Sequence, residues 1–156
     1  MLQKIGLISD THGHLPKAVG AVFSNVDVII HAGDVGSQTV LQALENLAPV
    51  TAVRGNCDAG LLAAFLEDVE YLNILGHEIA VLHKLSQVEH MLKKGFKGVV
   101  VYGHTHNPEI FKNPGVFYIN PGSPSQPRAL EHGTVAILSL KEDAPPEAAF
   151  YKIDFD

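Results

Sequence analysis

The sequence has no tryptophan, one cysteine, two methionines and only two arginines among its 156 residues. With Cys57 alone the chain cannot form an internal disulfide, and this favours a reducing, cytoplasmic location. No apolar run approaches the ~18 residues of a membrane-spanning helix. No charged segment followed by a long apolar one stands at the N-terminus, so we expect neither a membrane anchor nor a signal peptide.

Charge and size limit the classes of partner. Eleven lysines and arginines stand against 17 aspartates and glutamates, which gives a net charge of −6. Such a surface repels polyanions and argues against long nucleic acid or an acidic membrane as the main partner.

The length and the 46% hydrophobic content predict one globular domain over residues 1–156. Histidine, the commonest metal ligand, occurs nine times.

The first half of the chain alternates strand and helix patterns. Apolar segments at 4–9, 26–32 and 50–53 predict strands, and helical spacing occupies 15–23 and 37–47. This order indicates parallel strands with helices packed on the sheet.

The second half changes to short strands. A hairpin is predicted from 71–75 and 78–83 around a Gly76-His77 loop, followed by a helix at 86–94 and a strand at 98–102. Four more short strands follow without intervening helices, at 109–112, 116–119, 134–140 and 148–153. Two sheets packed face to face, with helices outside, would accommodate both halves.

Five predicted strands end in polar clusters. These are Asp10-Thr11-His12, Gly33-Asp34, Arg54-Gly55-Asn56, His83 and Gly103-His104-Thr105-His106. Ligands collect at the carboxyl ends of parallel strands, so we expect the clusters to meet at one site. Carboxylate, imidazole and amide donors suit divalent Mn, Fe, Zn or Mg. The donors are too many for one metal with open positions, and a pair about 3.5–4 Å apart, bridged by a carboxylate, would use them all.

This ordered set of motifs resembles the calcineurin-like metallophosphoesterase superfamily. The chain length and the Asn120-Pro121-Gly122-Ser123 segment are similar to the small YfcE-type phosphodiesterases of bacteria and archaea. The resemblance runs from about Ile5 to Arg128. It implies an α/β fold, a four-layer α/β/β/α sandwich of two packed mixed β-sheets flanked by helices. The implied reaction is attack of a dimetal-bound hydroxide on the phosphorus of small phosphodiesters.

The resemblance also implies two metal sites that share Asp34. One metal would be held by Asp10, His12, Asp34 and His106, and the other by Asp34, Asn56, His83 and His104. Mn²⁺ is the first choice of metal, with Fe, Zn, Ni and Mg as alternatives. The expected catalytic residues are Asp34, Asn56 and His104.

Further residues are expected around the metals. Arg54 and Arg128 would bind the substrate phosphate, since arginine bonds phosphate bidentately. Pairing of Arg54 with a carboxylate such as Asp58, and a structural role for Arg128, are the alternatives. Asn120 and Ser123 would orient ligand histidines by hydrogen bonds, and Asp58 would also support the site from outside the ligand set.

Two positions depart from the family pattern. Cys57 follows Asn56, where larger members carry a histidine thought to protonate the leaving group. Lys84 follows His83, where members commonly carry glycine. A cation beside a dimetal centre is unfavourable unless it points away or meets the substrate phosphate.

Three alternatives accompany the phosphodiesterase hypothesis. The chain could be a non-catalytic scaffold, as in the retromer subunit related to this family, a phosphomonoesterase, or a protein phosphatase. The filled set of ligand positions favours an enzyme over a scaffold. A dimer or tetramer is left open.

Overall fold

The computed structural model describes residues 1–156, which form two five-stranded β-sheets. The strands in chain order are β1 Leu2–Ile8, β2 Val28–His31, β3 Val50–Ala52, β4 Val69–Ile74, β5 His77–Leu82, β6 Gly98–Val101, β7 Pro108–Asn113, β8 Val116–Pro121, β9 Gly133–Lys141 and β10 Glu147–Ile153. One sheet has the order β10-β9-β1-β2-β3 and the other β4-β5-β6-β8-β7.

Both sheets are mixed, and each has a parallel centre. In the first sheet β1, β2 and β3 are parallel, while β9 and β10 pair antiparallel. In the second sheet β5, β6 and β8 are parallel, while β4 and β7 are antiparallel edges. The predicted two-sheet α/β sandwich is confirmed.

The helices are short. They are α1 Ala18–Val22, α2 Gln38–Glu45, α3 Gly60–Phe65 and α4 Val88–Met91, with a 3₁₀ turn at Leu85–Gln87 before α4. Helix α2 buries Val40 and Leu44 against its sheet. The sequence patterns did not predict α3, because it buries no residue and so carries no apolar periodicity. None of the helices has the length and apolar content needed to span a bilayer.

The main core lies between the sheets. Leu7 from β1 and Ile30 from β2 share one apolar cluster with Val81 from β5 and Val101 from β6. A second cluster joins the outer face of the first sheet to α1 and α2, and a third joins the second sheet to the α4 region. The order of layers is therefore helix, sheet, sheet, helix.

The predicted hairpin loop is wrong by one residue. Ile74 pairs with His77, so the loop is Leu75-Gly76 rather than Gly76-His77. Leu75 and Gly76 have φ angles of 52° and 84°. Two consecutive left-handed residues are typical of a type I′ turn, whose twist matches that of the strands. The turn geometry therefore sets the register.

Candidate metal centre

Two buried aspartates form the bottom of the candidate site. Asp10 follows β1 and Asp34 follows β2, and their side chains are 0% and 3% exposed. Asp10 Oδ1 lies 3.3 Å from His106 Nε2, and Asp34 Oδ2 lies 3.2 Å from His83 Nε2. Because the aspartates belong to one sheet and these histidines to the other, the site joins the carboxyl ends of both sheets.

Backbone carbonyls orient two of the histidines. His83 Nδ1 lies 2.7 Å from the carbonyl oxygen of Ala32, and His106 Nδ1 lies 2.6 Å from that of Gln126. A carbonyl oxygen can only accept, so each Nδ1 donates its proton, and in the neutral ring Nε2 carries the lone pair. Both Nε2 atoms face the aspartates, which is the arrangement expected of metal-ligating histidines.

The polar atoms at the centre lack protein partners. Asp10 Oδ1 and His83 Nε2 are buried and make no hydrogen bond. Burying such atoms without a partner costs roughly 1–3 kcal/mol each, and more for a charged group. The Nε2 atoms of His12 and His106 face each other at 3.2 Å. Positive ions between these donors would satisfy all of them.

The predicted ligands fall into two groups, and a third group of His12, Asp34 and Cys57 overlaps both. Asp10, His12 and His106 offer one ligand atom each within 4.8 Å of one another, and so do Asp34, His83 and His104. Asp34 Oδ2 also lies 3.7 Å from His12 Nε2, which places it between the two groups. Carboxylate oxygen and imidazole nitrogen suit Mn, Fe and Zn. The residues fit a pair of divalent metal ions.

The surroundings of these side chains determine which of them are charged at pH 7. Burial alone would raise the pKa of Asp10, but the adjacent imidazoles of His106 and His83 outweigh burial, and the pKa falls below its usual range. The pKa of Asp34 is also lowered, by His83 and by the Cys57 amide against the effect of burial. Burial, together with His83 and Lys84, lowers the pKa of His104. Both carboxylates are therefore ionised and His104 is neutral at pH 7.

The backbone carries strain at the site. Seven non-glycine residues have left-handed φ angles, and five of them are predicted metal ligands: Asp10, His12, Asp34, His104 and His106. This region is uncommon for non-glycine residues, although Asp and His tolerate it better than most. Strained residues concentrate at functional sites, where surrounding contacts hold them in place.

Glycines in the motifs let the segments approach closely. A Cβ at Gly55 would overlap the carboxylate and amide of Asp34, and one at Gly103 would overlap the Ser9 hydroxyl and crowd Asp10 Oδ2. These glycines are therefore required by packing around the two aspartates rather than by the turns themselves.

The loop after β3 forms the exposed side of the site. The Asn56 side chain donates to Cys57 Sγ at 3.4 Å and makes no hydrogen bond to another predicted ligand. The Cys57 amide donates to Asp34 Oδ1 at 2.8 Å. Burial and the nearby charge of Asp34 raise the pKa of the Cys57 thiol, so it is protonated at pH 7. Asp58 accepts from the amides of Gly36 and Gly55 and ties this loop to the loop after β2.

The two arginines differ in their contacts. Arg54 Nε and Nη2 each lie 2.9 Å from Asp68 Oδ1, and Nη1 donates to the carbonyl of Ala63 in α3. Its carboxylate partner is therefore Asp68 rather than Asp58, whose oxygens are occupied by backbone amides. Arg128 is exposed and makes no ion pair or hydrogen bond. Arg128 is the arginine left free to meet a substrate.

Asn120 and Ser123 hold backbone rather than histidine rings. The Asn120 amide donates to the carbonyl of Gly103 and to the Thr105 hydroxyl, which fixes the loop of His104 and His106. Ser123 Oγ donates to the carbonyl of Asp10 at 2.7 Å. The expectation that they bond ligand imidazoles is wrong, because carbonyls of Ala32 and Gln126 occupy the ring nitrogens of His83 and His106.

One further histidine supports the site from below, although it is not among the predicted ligands. His31 is fully buried, its Nδ1 accepts from the Gly33 amide, and its Nε2 lies 3.0 Å from Thr11 Oγ1. Burial lowers its pKa to about 4, so it is neutral and connects the first two loops. Its position at the end of β2 was the available signal. The carbonyls of Ala32 and Gln126 could not be identified from the sequence, since every residue has a backbone carbonyl.

The fold and the donor set define a metal-binding α/β sandwich, and the family follows from sequence. The chain belongs to the calcineurin-like phosphoesterase superfamily, whose domain matches residues 3–143. It is 40% identical over 137 residues to a probable metallophosphoesterase of Methanocaldococcus jannaschii, covering 80% of this chain and 69% of that protein. It is 28% identical over 175 residues to phosphodiesterase YfcE of Escherichia coli strain K12, covering 92% and 95%.

Solved structures agree with this placement. An archaeal phosphodiesterase superposes with a TM-score of 0.78 at 30% identity, covering 96% of this chain and 100% of the other. Vps29 of Chaetomium thermophilum superposes with a TM-score of 0.75 at 14% identity, covering 98% of each. At that identity Vps29 shares the fold alone.

Proposed function

We propose that this protein is a metal-dependent phosphodiesterase that hydrolyses small phosphodiesters. The observation that carries the proposal is the pair of donor groups, Asp10, His12 and His106 on one side and Asp34, His83 and His104 on the other. Their inward-facing atoms include two buried ones without a protein partner. The phosphodiesterases among the relatives and structural neighbours support a diester as substrate.

The proposed ligand sets are those of the sequence motifs, with Asp34 shared between the two metals. Bound divalent ions would polarise the phosphoryl oxygens and supply a hydroxide nucleophile near neutral pH. Two such ions against Asp10 and Asp34 leave a local charge of about +2, which attracts a phosphate ester although the whole chain is acidic. Mn²⁺ is the proposed metal.

The chain's own residues orient the reaction. Ala32 and Gln126 hold His83 and His106 in the tautomer that presents Nε2. Arg128 is proposed to bind a phosphate oxygen, because its guanidinium is exposed and free. Asn56 is retained as a proposed ligand because it follows the end of β3. Its side-chain nitrogen donates to Cys57 Sγ, so its amide oxygen would be the atom that binds a metal ion.

A scaffold role is the second candidate, and one observation separates the two. Vps29 proteins share this fold, so the fold by itself does not decide between an enzyme and a scaffold. In this chain the donors of both groups are present and buried or half-buried together. An intact donor set favours catalysis, and we further propose a cytoplasmic enzyme built as one domain over 1–156.

Metal stripping tests the proposal. Purified protein is treated with EDTA, dialysed, and assayed with and without Mn²⁺ on bis(p-nitrophenyl) phosphate and on p-nitrophenyl phosphate. We expect no hydrolysis by stripped protein, and preferential hydrolysis of the diester after Mn²⁺ addition. Equal activity of stripped and loaded protein would contradict the proposal. Faster hydrolysis of the monoester would support a phosphomonoesterase instead.

A further inference from the structure

A polar cavity of about 290 Å³ adjoins the candidate metal centre. It shares His83 and Asn56 with the predicted ligand set and extends away from it to Arg54, Lys84 and Gln87. No hydrophobic side chain lines it. The cavity is therefore a compartment for a polar group held next to the ester being hydrolysed.

Two cations and two carboxylates line this cavity, and only one of the four has no protein partner. Asp68 is bonded to Arg54, and Asp58 accepts from two backbone amides. Lys84 is half-buried and makes neither an ion pair nor a side-chain hydrogen bond. The formal charges of these four side chains sum to zero, and Lys84, which directly follows the predicted ligand His83, is the one still free to bind an anion.

Local structure places a neutral donor beside this charge. The amide of Gln87 donates to the carbonyl of Lys84 at 3.0 Å, so both residues belong to one turn at the start of the 3₁₀ segment. The side-chain amide of Gln87 has no partner either, and it lines the same cavity. An ammonium and a free amide N–H facing one cavity are suited to the oxygens of a phosphate.

We propose that this cavity binds a second phosphate group of the substrate, and that Lys84 is the residue that selects for it. The inference rests on the proposed phosphodiesterase function and narrows its substrates to small phosphodiesters that carry another phosphate. It also explains how a lysine is accommodated beside a dimetal centre. Lys84 lines the cavity, where a substrate phosphate would offset the charge of its ammonium.

Binding of two matched nucleotides tests the inference without turnover. Mn²⁺-loaded protein is titrated calorimetrically with thymidine 3′,5′-bisphosphate and with thymidine 5′-phosphate, neither of which contains a diester. We expect the bisphosphate to bind about tenfold more tightly, the contribution typical of a bond between charged groups. Lys84→Gln should reduce that ratio to about one, Lys84→Arg should retain it, and the exposed control Lys94→Gln should leave it unchanged.

A hydrolysis assay separates this inference from the proposed function. The substrates are thymidine 5′-(p-nitrophenyl phosphate), the same ester with a 3′-phosphate, and bis(p-nitrophenyl) phosphate. We expect the 3′-phosphate to raise kcat/KM in the wild type and not in Lys84→Gln. Equal ratios in both proteins, in binding and in hydrolysis, would overturn the inference alone. Failure of the loaded wild type to hydrolyse any of the three would overturn the proposed function, and the calorimetric ratio would still decide the anion site.

Discussion

The floor of the candidate metal centre and its rim differ in how firmly they are held. The floor consists of Asp10, Asp34, His83 and His106, all buried and each fixed by a backbone contact. The rim consists of Cys57, Lys84 and Arg128, which are exposed or half-buried. The floor side chains are held in place by the protein, whereas the rim side chains are open to solvent and can adjust. We therefore expect floor substitutions to abolish activity and rim substitutions to change which ester is preferred.

Removal of the shared floor carboxylate should reduce activity more than any other substitution considered. Asp34→Asn removes a charged donor that lies between both ligand groups, so activity on bis(p-nitrophenyl) phosphate should fall by more than about 100-fold. Circular dichroism should show retained secondary structure. A variant with more than a tenth of wild-type activity would break the distinction between floor and rim.

Gly55, which packs against Asp34, allows a test of whether the position of the floor carboxylate matters for activity. Gly55→Ala places a Cβ against the Asp34 carboxylate, so the loop must shift, and activity should fall by about 10–100-fold. Gly20→Ala is the matched control, because nothing lies within 4 Å of its Cβ position and it stands in helix α1. The control should keep full activity. Equal activity of the two variants would show that the floor tolerates displacement.

Low pH should reduce the free energy of unfolding, because the buried His31 is neutral in the folded protein. Its pKa is about 4 in the folded protein and near 6.5 when unfolded. The unfolded chain therefore binds more protons between these values, and stability falls as the pH drops from 6.5 towards 4, by roughly 2–3 kcal/mol. Urea unfolding of wild type and His31→Gln at pH 7.0 and 5.0 measures this. The variant should lose less stability on acidification, and an identical loss in both would refute the assignment.

The smallest effect is expected at the rim residue Cys57. Its thiol is exposed and protonated at pH 7, and it is a poor substitute for an imidazole acid. Cys57→Ser should change kcat by less than about tenfold, roughly 1.4 kcal/mol of barrier. A leaving-group series should show a steep dependence of rate on leaving-group pKa. His14, an exposed histidine two residues after His12, is the alternative donor, and a flat series with a large loss in His14→Ala would assign the role to it.

That the floor side chains meet could be predicted from the sequence, because the position of a residue at a strand end is a local property; their role as metal ligands stays a prediction. Asp10, Asp34, His83, His104 and His106 follow the ends of parallel strands, and the topology brings such ends together. Contacts that depend on distant segments were not predictable. The pairing of Arg54 with Asp68 requires α3 between them, and that helix buries nothing that would mark it in the sequence. The carbonyls that orient His83 and His106 carry no signature in residue type.

Metal content per chain measures whether Asp34 is shared by two bound ions. Wild type and Asp34→Asn are stripped with EDTA, reloaded with Mn²⁺, dialysed against metal-free buffer and analysed by inductively coupled plasma mass spectrometry. His106→Ala serves as the one-group control, since it belongs to the group of Asp10 and His12 alone. We expect about two ions in the wild type, about one in His106→Ala and fewer than one in Asp34→Asn. Two ions retained by Asp34→Asn, or none bound by the wild type, would contradict the account.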